Sequence, residues 1–174
     1  FGFDELWRDS VPLPDIDALA RTLSPVHSFV HASVHRVMNL QLGIGDQLKW
    51  LYDLHLMGRR FSLADWEHML DVGRPRGLCG VCLDAIDAAA AIWGPVAPLD
   101  VTSRMHAASE SEVLDRRRLA DWRYMQRMSL RVLPSARIRL QWLWRRFFPS
   151  PGYMRELYGT EYSHAGLLIE RVRR

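Results

Sequence analysis

Three histidines recur at every fourth position of SPVHSFVHASVHRVMN, residues 24–39: His27, His31 and His35. That spacing lays them along one slowly drifting stripe of a helix. Imidazoles at i and i+4 can converge on one metal ion. His27 and His35 lie about 12 Å apart by helix rise, too far for a single ion. A metal would need a further ligand from elsewhere, with Asp46, Asp53 and His55 available, and the helix lacks the glutamate of an H-E-x-x-H site. Histidines bonded to a carboxylate or carbonyl are commoner than ligated ones, so no metal is assigned here. The expected arrangement is one helix face, with His31 or His35 bonding Asp53 across two helices.

Other residues invite chemistry and fall short of it. Asp15 and Asp17 form a D-x-D, a pattern that holds catalytic Mg²⁺ when both carboxylates leave one face of a strand. Pro14 precedes the pair and no Gly-Ser turn lies upstream, so a turn or loop is expected. Cys79 and Cys82 form the single C-x-x-C. Neither a βαβ setting nor a second ligand pair accompanies it, and two small buried helix residues in a reducing compartment are expected. RIRLQWLWRRFF mixes Arg137, Arg139, Arg145 and Arg146 with tryptophan and phenylalanine. Such a helix could bind a nucleic-acid backbone or lie on an anionic membrane. Its broad apolar face reads more simply as a core helix with arginines snorkelling at its edges. No G-x-S-x-G, Walker or dinucleotide glycine pattern occurs, and no complete active site is spelled out.

Proline and glycine cut the chain into the helical pieces that must position these residues. Residues 1–23 read as an irregular connector, with a short helix near Phe3–Arg8 and with Pro12 and Pro14 limiting any strand. Ser24-Pro25 is an N-cap followed by proline at the first helical position, opening a helix to about Asn39. Asp46 is expected to cap the next helix, and Ser62 the one after, with Asp65 in its first turn. Leu78–Trp93 is a fourth helix, stopped by Gly94-Pro95. A hinge-like stretch follows Pro98, then a long helical run from about Glu110 to Leu133, interrupted by Pro134. SARIRLQWLWRRFF, PGYMRELYG and Glu161–Val172 complete the helices. No stretch alternates with period two long enough for a confident strand. The fold class is all-α: an irregular bundle of six to eight helices over 24–174, with a possible sub-boundary near 98–109.

Composition bounds the rest. The chain has 174 residues, 48% hydrophobic and 25% charged, as in a globular protein with a buried core. No apolar run approaches a membrane span, no secretory leader pattern opens it, and a cytoplasmic location is expected. Without an initial methionine, Phe1 reads as the start of a cut or processed chain. Charge is uneven: residues 1–100 carry 8 basic and 13 acidic side chains, and residues 101–174 carry 15 and 7. The basic third should face the acidic first part of its own chain, or else an external anion.

The order of segments carries a resemblance. TLSPVHSFVHASVHR, LKWLYDLHLM, FSLADWEHML, GLCGVCLDAIDAAAAIWGPVAP and FFPSPGYMRELYG together resemble the C-terminal half of the uncharacterised nucleotidyltransferase family. The matching positions are His31 and His35 after L-S-P, then Trp50, Leu51 and Asp53, then Asp65 and Trp66; His27 falls outside the pattern. The resemblance implies a helical region that supports or lines a nucleotide or acceptor site and is catalytically incomplete alone. It also implies an N-terminal catalytic half as partner, and Mg²⁺ with a nucleoside triphosphate bound by that half only. Asp15 and Asp17 fall where the family has a connector, so no catalytic role passes to them. The alternative is a stand-alone helical module that docks an anionic partner, nucleic acid among the candidates, through the basic C-terminal third.

Overall fold

The computed structural model describes residues 1–148, 150, 152 and 153, with the side chains of Arg146 and Phe147 left aside. It is all-α. Eight helices occur among the described residues: α1 (Phe3–Arg8), α2 (Pro25–Gln41), α3 (Leu48–Arg60), α4 (Leu63–Gly73), α5 (Cys79–Trp93), α6 (Leu99–Glu110), α7 (Trp122–Val132) and α8 (Ala136–Phe147). The only pairing of extended chain among them joins β1 (Val11–Pro12) to β2 (Arg21–Thr22), antiparallel. The described residues fall into two units, the first Phe1–Gln126 and the second starting at Arg127. Apart from Gly152 and Tyr153, the helices expected at PGYMRELYG and over Glu161–Val172 lie outside the described residues.

In the first unit α5 is central, packed against α2, α3, α6 and α4. Its small residues make that possible: Ala85 and Ala89 are fully buried, so neighbouring helices approach closely. Val26, Phe29 and Val30 of α2, Leu51 and Leu54 of α3, Trp66, Met69 and Leu70 of α4, and Val101 and Met105 of α6 close the core around it. Gly58 lies where α3 meets Trp66 and Val96; a Cβ there would come within 2.8 Å of a Val96 methyl.

Helix starts follow the sequence signals at Ser24 and Ser62, and a third serine, Ser135, caps α8. Ser24 accepts the His27 N–H with Pro25 in the first turn. Ser62 and Asp65 form a reciprocal capping box, which holds the Asp65 carboxyl below its ordinary range. Gly94, with φ of +84°, ends α5 as Gly94-Pro95 suggests.

Three expectations are corrected. Asp46 caps nothing: Gln47 precedes α3 without a side-chain cap, and Asp46 instead binds Arg36. The stretch after Pro98 is α6, beginning at Leu99. The helix expected from Glu110 to Leu133 is broken over residues 111–121, because its polar side chains bond to backbone N–H groups instead of continuing the helix. Asp115 accepts the Arg117 N–H and Asp121 the Tyr124 N–H. Glu112 reaches back to α5, accepting from Cys79 N–H at 2.7 Å and Gly80 N–H at 3.0 Å. A carboxylate on the first free N–H groups of a helix also meets the positive end of its dipole.

Candidate functional site

The exposed side of α2 and the start of α3 bring together three of the residues singled out by sequence. His31 and His35 are both exposed and lie with ring centroids 6.4 Å apart at 19°, nearly parallel. The half-buried Trp50 ring meets His35 edge-on at 5.7 Å. Lys49, the only lysine of the chain, sets its ammonium 5.5 Å from the centroid of that same Trp50 ring. Asn39, buried one turn beyond His35, places its amide nitrogen 3.1 Å from His35 Nδ1 and 3.1 Å from the His35 carbonyl oxygen.

The expected bond from His31 or His35 to Asp53 does not form. Asp53 stays exposed, and Trp50 occupies the position against His35 that the carboxylate was assigned. The other matching residues serve the fold: Trp66 is buried against Phe29 and Phe61, Leu51 is in the core, and Asp65 caps α4. His27, outside the pattern, is the buried member of the stripe. Its Nδ1 lies 2.8 Å from Ser24 Oγ and its Nε2 3.6 Å from Glu5. Sequence reading missed Asn39 and Lys49. Asn39 continues the spacing of four from His35, and Lys49 adjoins Trp50, so both had a positional signal.

A second polar region is a cleft of about 600 Å³ between α5, α6 and the turn after them, lined by Asp84, His106, Glu112, Asp115 and Arg116 among others. Its charges are turned on one another. Arg116 binds Asp87 and lies 3.6 Å from Asp84. Glu112 caps α5, and His106 stands 3.6 Å from Glu110. Asp84 also receives Arg36 at 2.5 Å, while Asp46 takes that guanidinium in a two-bond fork at 2.6 and 2.7 Å. Arg104 and Arg116 thus pair with acidic residues of the first hundred, Glu67 and Asp87, as the charge division suggested.

Among the described residues no group of three or more histidine, cysteine or carboxylate side chains is placed to hold a metal. Asp15 lies in a turn, and Asp17 accepts the Leu19 N–H at 2.8 Å. No described helix is long and apolar enough to cross a membrane.

Cys79 and Cys82 are free and buried in the first turn of α5. Burial, with the Glu112 carboxylate adding to it, pushes the Cys79 thiol up to about 11. Burial and the neighbouring Cys79 push Cys82 up to about 12. Both stay protonated and unreactive at neutral pH. Folded values above the ordinary 9.0 mean that the stabilising contribution is complete below pH 9 and is lost as pH rises through 11 to 12. Native protein should resist iodoacetamide at pH 8 while urea-unfolded protein takes two labels, and its melting temperature should fall above pH 9.

In the second unit α8 is not a core helix. Leu140 and Trp144 are 69% and 63% exposed, and Arg137 and Arg145 are exposed beside them. Trp144 and Phe148 form a ring pair at 4.3 Å. Arg139 donates to the Leu133 and Arg131 carbonyls. The side chain of Arg146 lies outside the described residues.

Comparison with protein-family models, curated proteins and solved structures gives no match for this chain.

Proposed function

We propose that this chain is the helical C-terminal region of a nucleotidyltransferase, catalytically incomplete alone, whose exposed His31–His35–Trp50 face lines a nucleotide or acceptor site. The observation that carries the reading is the contrast between this face and the other polar clusters. Arg36, Arg76, Arg104, Arg116 and Glu112 are taken up by internal partners. The two imidazoles and Lys49 stand exposed without an ion-pair partner among the described residues. The two imidazoles coincide with positions of the family resemblance that folding does not consume. Mg²⁺ takes oxygen ligands, and the imidazoles and ammonium of this face offer none, so this reading leaves the metal and the catalytic step to an N-terminal half supplying its own carboxylates.

An incomplete site should bind nucleotide weakly, with a dissociation constant on the order of 0.1–1 mM, or about 4–5.5 kcal/mol. Titration with a fluorescent ATP analogue should show saturable binding that weakens at least tenfold in the doubly substituted His31→Ala, His35→Ala protein. Binding unchanged by the substitutions, or none at millimolar concentrations, overturns the reading. The exposed arginine and Trp144–Phe148 helix favours a second reading, a module that docks an anionic partner. A nucleic-acid signal that survives the histidine substitutions and collapses with salt would select it.

A further inference from the structure

The hydrogen bonds around Asn39 say which ring nitrogen of His35 carries its proton. The Asn39 amide nitrogen is within 3.1 Å of both the His35 carbonyl oxygen and His35 Nδ1. An amide nitrogen only donates. Turning the amide over would set its oxygen against the carbonyl oxygen, acceptor to acceptor, so the carbonyl contact fixes the amide. Nδ1 must then accept, and in the neutral ring the proton sits on Nε2. His35 therefore offers the exposed face an N–H donor with no partner among the described residues. A protonated nitrogen has no lone pair for a cation, which argues against a metal shared by His31 and His35.

We propose that this face binds the phosphate groups of its ligand, with His35 Nε2–H and His31 as donors, Lys49 as the nearby cation and Trp50 as the wall. The inference rests on the reading of the face as a ligand site and names the part of the ligand it holds. His31 and His35 are four residues apart, about 6 Å of helix rise, wider than the bite of a single carboxylate. An ion with several oxygen-bearing centres, a di- or triphosphate, spans them. Of the nearby carboxylates, Asp46 is neutralised by Arg36, and Asp53 is exposed on α3, three residues beyond Trp50. Asn39 acts through His35 and is a positioning residue.

The test is histidine-ring NMR on the whole chain, with metal-free sodium tripolyphosphate, ATP and adenosine as separate probes. Long-range ¹H–¹⁵N correlations should show His35 as the Nε2–H tautomer, and a mixture in Asn39→Ala. Tripolyphosphate and ATP should both move the His31 and His35 rings. His35→Ala should weaken tripolyphosphate binding at least tenfold and His106→Ala should leave it unchanged. A response to tripolyphosphate equal to that of ATP marks the phosphates as the recognised part; a much stronger response to ATP adds a base contact at Trp50 to it. If adenosine and ATP move these rings while tripolyphosphate does not, phosphate recognition is wrong and the ligand-site reading survives. Silence with all three overturns both. An Nδ1–H tautomer, or displacement of both rings by micromolar Zn²⁺, overturns the donor assignment itself.

Discussion

Replacing Trp66 with alanine is expected to cost about 3–5 kcal/mol of folding stability, the range for emptying a large aromatic from a packed core. Trp66 is 2% exposed. Its ring meets Phe61 at 4.9 Å and Phe29 at 6.2 Å, both edge-to-face, and its rim lies against Gly58, which has no side chain to move into the space. Phe29 and Gly58 sit on α2 and α3, so one cavity loosens three helices. Because a domain of this kind is stable by only about 5–15 kcal/mol, much of its margin would go. Urea unfolding should show the midpoint shift, and a loss below about 1 kcal/mol would mean that the three helices are not packed through this ring.

The second large effect is at Arg36. Its side chain is 6% exposed and holds Asp46 and Asp84, tying α2 to the turn before α3 and to α5. Burial works against the guanidinium charge, and the two carboxylates more than offset it, so its affinity for a proton ends above the ordinary value. Arg36→Ala leaves two carboxylates without their shared cation. Those carboxylates are 31% and 28% exposed and Asp84 keeps Arg116 nearby, so water recovers part of the loss. The expected cost is about 2–3 kcal/mol, below the 3–5 of a fully buried pair. Arg36→Lys should recover little, since one ammonium cannot fork onto Asp46 while reaching Asp84. Full stability in Arg36→Lys would show that charge alone matters there.

These two residues also mark where the sequence could be read and where it could not. The core around Trp66 was visible in part, because Ser62 and Asp65 announce the start of α4 and Gly94 the end of α5 through local chemistry. Asp46 shows the limit. Its type and position suit a cap, and only the distant arrival of Asp84 on α5 makes it half of a clamp on Arg36. The break at 111–121 escaped for the same reason: Glu112 looks like a helix former until α5 offers two unbonded N–H groups 32 and 33 residues away. At the candidate site, helical spacing places His31 beside His35 from sequence alone. Which helix face would be exposed, and that Trp50 rather than Asp53 would meet His35, depends on how α3 rotates against α2, which no local signal sets.

The most direct measurement is a map of the seven histidines by ¹H–¹³C ring correlations during addition of ATP and Mg²⁺. The account predicts that His31 and His35 shift together, with a Trp50 indole change, while buried His27 and His55 and the cleft residue His106 stay fixed. Shifts centred on His106, or none at any histidine, would contradict it.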